Sequence, residues 1–456
     1  MKKLIILGGG PAGYAAALYA NHFDLEVTLI EADEIGGTCL NRGCIPAKHW
    51  LHVAEVNREL NSADELGINI QKISNDWEKT ASKRSEVVSK LTGGVKSLLK
   101  AKNVNIVEGW GTLVDKNTIS VKKSDGSLEE IKSDYILLAT GSIPRVLPGF
   151  EFDHIFVVSS DDALDWIEPP KKVCIIGAGA IGCEFASLLV DLDSDITVVE
   201  MEKEILPGMD KRTAGELRKQ ITKRGGKFKL ETSIISLDKE KKEVSLSDGT
   251  SEQFDAVLIS IGRSPLTDNI GIDGLEVKRT NGFVEVDLSS YQTSIPNIYA
   301  VGDIVEGTPQ LAHVGFAEGI AAITHIATEE EANINYDAIP FVVYSSPEVA
   351  EVGINSQNPK AEGIKISHAQ HSFVGIGRAI IQNNNNGVVK VFYEEDGPIV
   401  GASICGPDAG EVIHELMYMV GWEVLPKEAA DFIHAHPTLS EAVGEALMSA
   451  SGRGLH

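Results

Sequence analysis

The chain has 456 residues, room for about three domains, and its 43% apolar, 23% charged and 6% aromatic side chains are those of an ordinary globular protein. That size and composition exclude disorder and a disulfide-stapled miniprotein. With 66 acidic against 41 basic side chains the formal net charge is −25. Such a surface repels nucleic acid and anionic membranes; it leaves room for a basic protein partner, or simply keeps the chain in solution.

No apolar run approaches the ~20 residues of a membrane span. Residues 1–7 imitate a signal peptide, but four apolar residues before three glycines fall short of the about 7–15 that such a core needs. They read as a buried strand. Five cysteines, an odd number, do not make a secretory disulfide framework. The expected compartment is the cytoplasm.

The first predicted unit runs from residue 2 to 31. It begins Lys-Lys-Leu-Ile-Ile-Leu-Gly-Gly-Gly-Pro-Ala-Gly and ends Val-Thr-Leu-Ile-Glu. Residues 171–200 repeat it, from Lys-Lys-Val-Cys-Ile-Ile-Gly-Ala-Gly-Ala-Ile-Gly to Ile-Thr-Val-Val-Glu. Gly8, Gly10 and Gly13 thus correspond to Gly177, Gly179 and Gly182, and Glu31 and Glu200 each lie 18 positions beyond the last glycine. A short apolar strand must turn sharply into a helix whose N-terminal amides face a pyrophosphate, and glycines permit the turn and the close approach. The carboxylate ending the second strand accepts hydrogen bonds from a ribose. Two such copies predict two bound dinucleotides. Glu200 welcomes a free 2′-hydroxyl and no arginine follows it in Met201-Glu202-Lys203-Glu204, so NAD is favoured over NADP.

After the first repeat comes Gly36-Gly37-Thr38-Cys39-Leu40-Asn41-Arg42-Gly43-Cys44-Ile45-Pro46-Ala47-Lys48. Two cysteines five apart, beside basic Arg42 and Lys48, form a redox candidate, because nearby positive charge favours the reactive thiolate. Half of a zinc site and a pair of buried thiols are the alternatives, although no further zinc ligands stand nearby in sequence. Cys174, Cys183 and Cys405 lie in apolar segments and read as core thiols. A charged helical stretch follows around 75–101. Period-two strands are predicted near 388–405, with hairpin signals at Asn386-Gly387 and Asp396-Gly397.

The stretch from Gly36 to Pro46 resembles the active-site signature of the class I pyridine nucleotide–disulfide oxidoreductases. With Leu40-Asn41-Arg42 inside it, it is most similar to the branch that oxidises dihydrolipoamide. The resemblance runs through the chain: Ala139-Thr140-Gly141-Ser142-Ile143-Pro144, Ile261-Gly262-Arg263-Ser264-Pro265, Asn297-Ile298-Tyr299-Ala300-Val301-Gly302-Asp303 and His434-Ala435-His436-Pro437-Thr438-Leu439-Ser440-Glu441 match its later motifs in order. It implies an α/β fold of two Rossmann-like dinucleotide-binding domains plus a C-terminal α+β dimerisation domain. The divisions expected are an FAD-binding domain at 1–148, an NAD-binding domain at 149–268, a central segment at 269–336 returning to FAD, and the dimerisation domain at 337–456.

By resemblance, FAD is held by Gly8, Gly10, Gly13, Glu31, Lys48, Thr140, Gly141, Ser142 and Asp303, and NAD by Gly177, Gly179, Gly182, Glu200 and Gly262. Cys39 becomes the interchange thiol and Cys44 the charge-transfer thiolate against the flavin. His436 becomes the acid/base, oriented by Glu441 and supplied by the other subunit of a homodimer. Lys48 pairs with Glu184 beside the flavin ring. A histidine near neutral pKa with a carboxylate partner does suit the proton transfers of thiol–disulfide exchange. The implied activity is oxidation of protein-bound dihydrolipoamide to lipoamide with NAD as acceptor. The implied partners are lipoyl-bearing subunits of a 2-oxo acid dehydrogenase or glycine cleavage complex.

Four places depart from the family pattern: Ala47, where Ser or Thr is common; residues 313–316, His-Val-Gly-Phe; Ser345-Ser346-Pro347-Glu348; and the run Asn383-Asn384-Asn385-Asn386. Glutathione-type reductases share the cysteine pair, but want NADP and Val-Asn-Val-Gly between the cysteines. Mercuric reductases carry a C-terminal cysteine pair that residues 449–456 lack, and soluble transhydrogenases lack the intact redox pair. From another class, the chain could be a flavin-containing docking protein, which would not need Cys39, Cys44, His436 and Glu441 together.

Overall fold

A computed structural model describes residues 1–355, 357, 358, 363 and 365–455. The chain forms two compact units. The first comprises Met1–His49, Glu78–Arg145 and Arg263–Ile334; the second comprises Trp50–Trp77, Val146–Gly262 and Asn335–His456.

The first unit is built on a five-stranded, all-parallel sheet. Its order is Ile298–Ala300, Tyr135–Leu138, Lys2–Leu7, Leu25–Glu31, Asn105–Glu108. Strand Lys2–Leu7 is apolar on both sides because both faces are covered. Leu4 and Ile6 pack with Ala12, Ala16 and Ala17 of helix Pro11–Tyr19. Ile5 and Leu7 pack with Leu113, Ile119 and Val121 of an antiparallel three-stranded sheet. Helix Ala312–Thr328 crosses helix Pro11–Tyr19 closely, since a Cβ on Gly319 would lie 2.5 Å from the Ala12 carbonyl oxygen.

The second unit repeats this plan. Its parallel sheet runs Lys227–Lys229, Asp195–Val199, Lys172–Ile176, Ala256–Ile259, Val157–Val158. A three-stranded antiparallel sheet contributes Val244 and Leu246 to the core with Cys174, Ile176 and Val257. The outer strand has different origins in the two sheets. In the first it comes from far downstream, residues 298–300; in the second it precedes the glycine turn, at residues 157–158.

The second unit also holds an antiparallel sheet ordered Phe341–Val343, Glu348–Gly353, Ile399–Gly406, Val388–Glu394, Ile366–Ser372. Helices Ala409–Gly421 and Glu441–Ala450 close its core through Ile413, Leu416, Val443 and Leu447. The charged helix is found at Trp77–Ala101 and the period-two strands at Val388–Glu394 and Ile399–Gly406. Asp396-Gly397 is the tight turn between those strands, with the Gly397 N–H donating to the Glu394 carbonyl at 2.9 Å.

Asn386-Gly387 is not a tight hairpin. Strands Ile366–Ser372 and Val388–Glu394 do pair, but helix Gly377–Ile381 lies in their connection. Gly387 is needed for another reason: a Cβ there would lie 1.9 Å from the Cys405 carbonyl oxygen of the neighbouring strand. Cys174, Cys183 and Cys405 are buried, as their apolar surroundings predict. Among the described residues no helix is long and apolar enough to cross a membrane.

Candidate active site

The two glycine turns share one geometry. Gly8 and Gly177 have φ of +109° and +97°. Gly13 and Gly182 approach so closely that a Cβ would lie 1.8 and 2.0 Å from the carbonyl oxygens of Gly8 and Gly177. Helices Pro11–Tyr19 and Ala180–Asp191 begin after Gly10 and Gly179, extended residues with no side chain to cap the first-turn amides. A Cβ on Gly179 would meet nothing within 4 Å. Each turn is an open cradle of N–H groups at the positive end of a helix, which fits a pyrophosphate.

The carboxylates close both cradles in the same way. Glu31 accepts from the N–H groups of Gly9 at 2.6 Å and Asp33 at 2.8 Å. Glu200 accepts from Ala178 at 2.7 Å and Glu202 at 3.0 Å. Burial pushes the Glu31 carboxyl above its ordinary range, against those backbone bonds. The residues present therefore fit two dinucleotides.

Asp303 joins the first cradle's unit through partners far away in sequence. The Ser142 hydroxyl donates to Asp303 Oδ2 and accepts from Arg263 Nε at 2.7 Å, while Arg263 Nη2 donates to the Ser142 carbonyl at 2.7 Å. Thr140 Oγ1 donates to the Leu266 carbonyl at 2.6 Å, and the Leu266 N–H to Gly141 at 2.8 Å. The buried Glu318 accepts from the Gly302 N–H at 2.6 Å. Sequence reasoning names Thr140, Gly141, Ser142 and Asp303 but misses Arg263 and Glu318 as members of the group. Gly262 ends the second unit's piece in a left-handed conformation, φ +104°.

The cysteine loop is locked onto the first cradle. Gly36 and Gly37 have φ of +105° and +56°, the Gly36 N–H donates to the Gly9 carbonyl at 2.8 Å, and a Cβ on Gly37 would lie 2.6 Å from Gly10 Cα. Cys39 lies in helix Gly37–Arg42, and Cys44 opens helix Cys44–Asn61. Both are free thiols, half-buried.

Their electrostatics differ from expectation. Arg42 is paired with Asp33, leaving Lys48, one helical turn beyond Cys44, to favour the Cys39 thiolate. That charge does not win: the hydrogen bond to the Cys44 side chain first, then burial, pushes the Cys39 thiol well up. The Tyr14 phenol, unnoticed in the sequence, is pushed to about 12 by burial and then by Cys39 and Cys44, and its ring lies 5.5 Å from that of Phe316. The departure at residues 313–316 thus places an aromatic ring against Tyr14. Ala47 is buried and its N–H donates to the Gly43 carbonyl at 2.9 Å.

In the second unit, Glu184 on helix Ala180–Asp191 accepts from the Tyr344 N–H at 3.0 Å. His436 and Glu441 pair at 2.8 Å through Nδ1 and Oε1. Glu441 Oε2 accepts from the Thr438 N–H at 2.8 Å. Burial pulls the Glu441 carboxyl up, but the Thr438 and His436 bonds outweigh it and hold it below its ordinary range. His436 is 78% exposed. Phe432 and Ile433, four and three residues before it, are also exposed, Ile433 to 98%, and so is Trp422.

Residues 2–319 match the pyridine nucleotide-disulphide oxidoreductase family and residues 339–447 its dimerisation domain, and the chain belongs to that family. It is a flavoenzyme and disulfide oxidoreductase that uses FAD and NAD. It is 38% identical over 466 residues to the dihydrolipoyl dehydrogenase of Haloferax volcanii, covering 100% of this chain and 97% of that protein. With the dihydrolipoyl dehydrogenase of Bacillus subtilis it shares 35% over 469 residues, 99% and 98% of the two chains. The crystal structure of LpdA from Mycobacterium tuberculosis superposes with a TM-score of 0.90 at 27% identity, covering 98% and 99%.

Proposed function

We propose that the protein oxidises protein-bound dihydrolipoamide to lipoamide with NAD as acceptor, through Cys39 and Cys44, with His436 of the partner subunit as acid/base. The observation that carries this reading is the hydrogen-bonded thiol pair on a loop locked to the first nucleotide cradle. Full-length relatives named dihydrolipoyl dehydrogenase support the substrate class. The exposed Trp422, Phe432 and Ile433, all within the matched dimerisation domain, support a homodimer, since such apolar surface calls for a partner.

In the oxidised enzyme Cys39 and Cys44 share a disulfide. Because Glu441 engages Nδ1, His436 presents Nε2 as the base, and it takes the proton of one substrate thiol. The thiolate attacks Cys39 Sγ, and the bond between Cys39 and Cys44 breaks with the electron pair on Cys44. The second substrate thiol gives its proton to solvent and, as thiolate, attacks the mixed disulfide, expelling Cys39, which recovers a proton from His436. Lipoamide leaves and the enzyme holds two electrons as a reduced pair. The first cradle, Asp303 and Lys48 would hold FAD, which would supply the two-electron link to the nicotinamide. NAD would bind at the second cradle, with its ribose at Glu200. One NAD accepts a hydride per dithiol oxidised, and one proton goes to solvent.

The lipoyl group arrives on a subunit of a 2-oxo acid dehydrogenase or glycine cleavage complex, and the acidic surface suits a basic docking domain there. The Cys44→Ser variant tests the reading. It should lose dihydrolipoamide-dependent NADH formation while retaining bound flavin, and full turnover in that variant would refute the scheme.

A further inference from the structure

Two carboxylate–imidazole pairs flank the loop at residues 434–440. His436 is held by Glu441. Two residues earlier, His434 Nε2 pairs with Glu415 Oε2 at 3.2 Å. Glu415 comes from a different element, helix Ala409–Gly421, and its other oxygen accepts from the Ser440 hydroxyl. One carboxylate therefore grips both feet of the loop whose tip carries His436.

The tip has supports of its own: Glu441 holds His436 and the Thr438 N–H, and the Thr438 hydroxyl donates to the Ala435 carbonyl at 2.7 Å. Residues 435–437 are exposed, and Leu439 is the loop's buried apolar side chain. Ser440 stands at the N-cap of helix Glu441–Ala450, where a serine hydroxyl ordinarily accepts from a first-turn amide. Here it makes no cap bond and is turned to Glu415 instead. Gly444 leaves space for the imidazole, because a Cβ there would lie 2.6 Å from His434 Nδ1.

Electrostatics reinforce the grip. The Glu415 bond raises the His434 imidazole above its ordinary range despite burial, with Glu415 and Glu441 the charged groups acting on it. Burial pulls Glu415 up, but the His434 and Ser440 bonds outweigh it and hold the carboxyl low. Both shifts act in the direction of the charged pair.

We propose that Glu415 is a positioning residue for proton transfer: through His434 and Ser440 it fixes the loop that presents His436 to the substrate thiol. This rests on the reading of His436 as the acid/base. A displacement of about 1 Å at a reacting group costs on the order of 100-fold in rate, and releasing both feet unties the loop, with its Glu441-held tip, from helix Ala409–Gly421.

The test uses the holoenzyme. Glu415→Ala should lower kcat/KM for dihydrolipoamide about 10- to 100-fold and leave NADH–ferricyanide turnover, which needs no thiol deprotonation, unchanged. Ser440→Ala, a milder release, should lower it by less. In a His436→Ala background, Glu415→Ala should cost less than about twofold more, because a residue acting through His436 has nothing left to position. Glu415→Gln keeps an acceptor for Ser440, so it should recover much of the rate while the His434 titration falls toward the ordinary imidazole range. Wild-type kcat/KM in Glu415→Ala, full additivity with His436→Ala, or an equal loss of ferricyanide turnover would overturn the proposal. Histidine ¹³Cε1 resonances, read without substrate, separate this from the substrate assignment. A wild type inactive on dihydrolipoamide whose His436 resonance still shifts in Glu415→Ala refutes the substrate and supports the positioning. An unmoved His436 resonance refutes the positioning.

Discussion

Replacing Gly182 by alanine perturbs the second cradle alone. The new Cβ would sit 2.0 Å from the Gly177 carbonyl oxygen and 2.8 Å from Ser260 Oγ, where ordinary contact begins at 3.4 Å. The helix must therefore retreat from that carbonyl by 3.4 less 2.0, about 1.4 Å. It cannot do so freely, because Cys183, Phe185, Ala186, Leu188 and Leu189 are buried along it. Overpacking of this kind costs about 1–3 kcal/mol. If that cost falls on the nucleotide-competent arrangement, NAD affinity drops about 5- to 150-fold. The assay is KM for NAD, read beside the flavin content of the purified protein. Gly182→Ala should raise KM and keep its flavin. Gly13→Ala, whose Cβ would lie 1.8 Å from the Gly8 carbonyl oxygen, should lose flavin. A wild-type KM for NAD in Gly182→Ala, or loss of flavin instead, would refute the assignment of the two cradles.

Lys390 and Asp210 pair at 2.6 Å with side chains only 9% and 3% exposed, so Lys390→Met should destabilise by about 3–5 kcal/mol. Urea denaturation reads this as a lower midpoint at unchanged slope, and a loss under about 1 kcal/mol would contradict it. Burial pushes the Glu351 carboxyl up to about 7, against the Asp210 N–H bond. The folded chain thus holds that proton more tightly than the unfolded one. The stability it adds is complete below the ordinary value of 4.5 and is lost as pH rises through about 7. Glu351→Gln should flatten that part of the stability–pH curve, and an unchanged slope would exclude the role. Glu200→Ala should narrow the KM ratio between NADP and NAD, and an unaltered ratio would move the discrimination elsewhere.

What the sequence made legible was local. The repeated glycine spacing foretold two strand–turn–helix units because positive φ and backbone contact at Gly8 and Gly177 tolerate no side chain. The distal Glu31 and Glu200, the Asp396-Gly397 turn and the helix at Trp77–Ala101 follow equally short-range rules. What escaped was long-range. Arg263 meets Ser142 across 121 residues, and no period in the sequence marks that pair. Glu415 belongs to none of the motifs, and Ser440, 25 residues later, folds back onto it. Arg42 illustrates the converse: proximity in sequence suggested a thiolate-stabilising charge, and Asp33 claims it. Asn386-Gly387 carries a turn signal that the chain uses for close strand approach.

The most direct measurement is an anaerobic single turnover on the oxidised holoenzyme. One equivalent of dihydrolipoamide per chain is added, then NAD, with alkylation and peptide mapping of Cys39 and Cys44 before and after the NAD. Both cysteines should become alkylatable on adding dihydrolipoamide and become protected again after NAD, with one NADH formed per lipoamide released. Cysteines that stay protected in the presence of dihydrolipoamide, in a protein whose flavin NADH still reduces, would contradict the dithiol-to-NAD assignment.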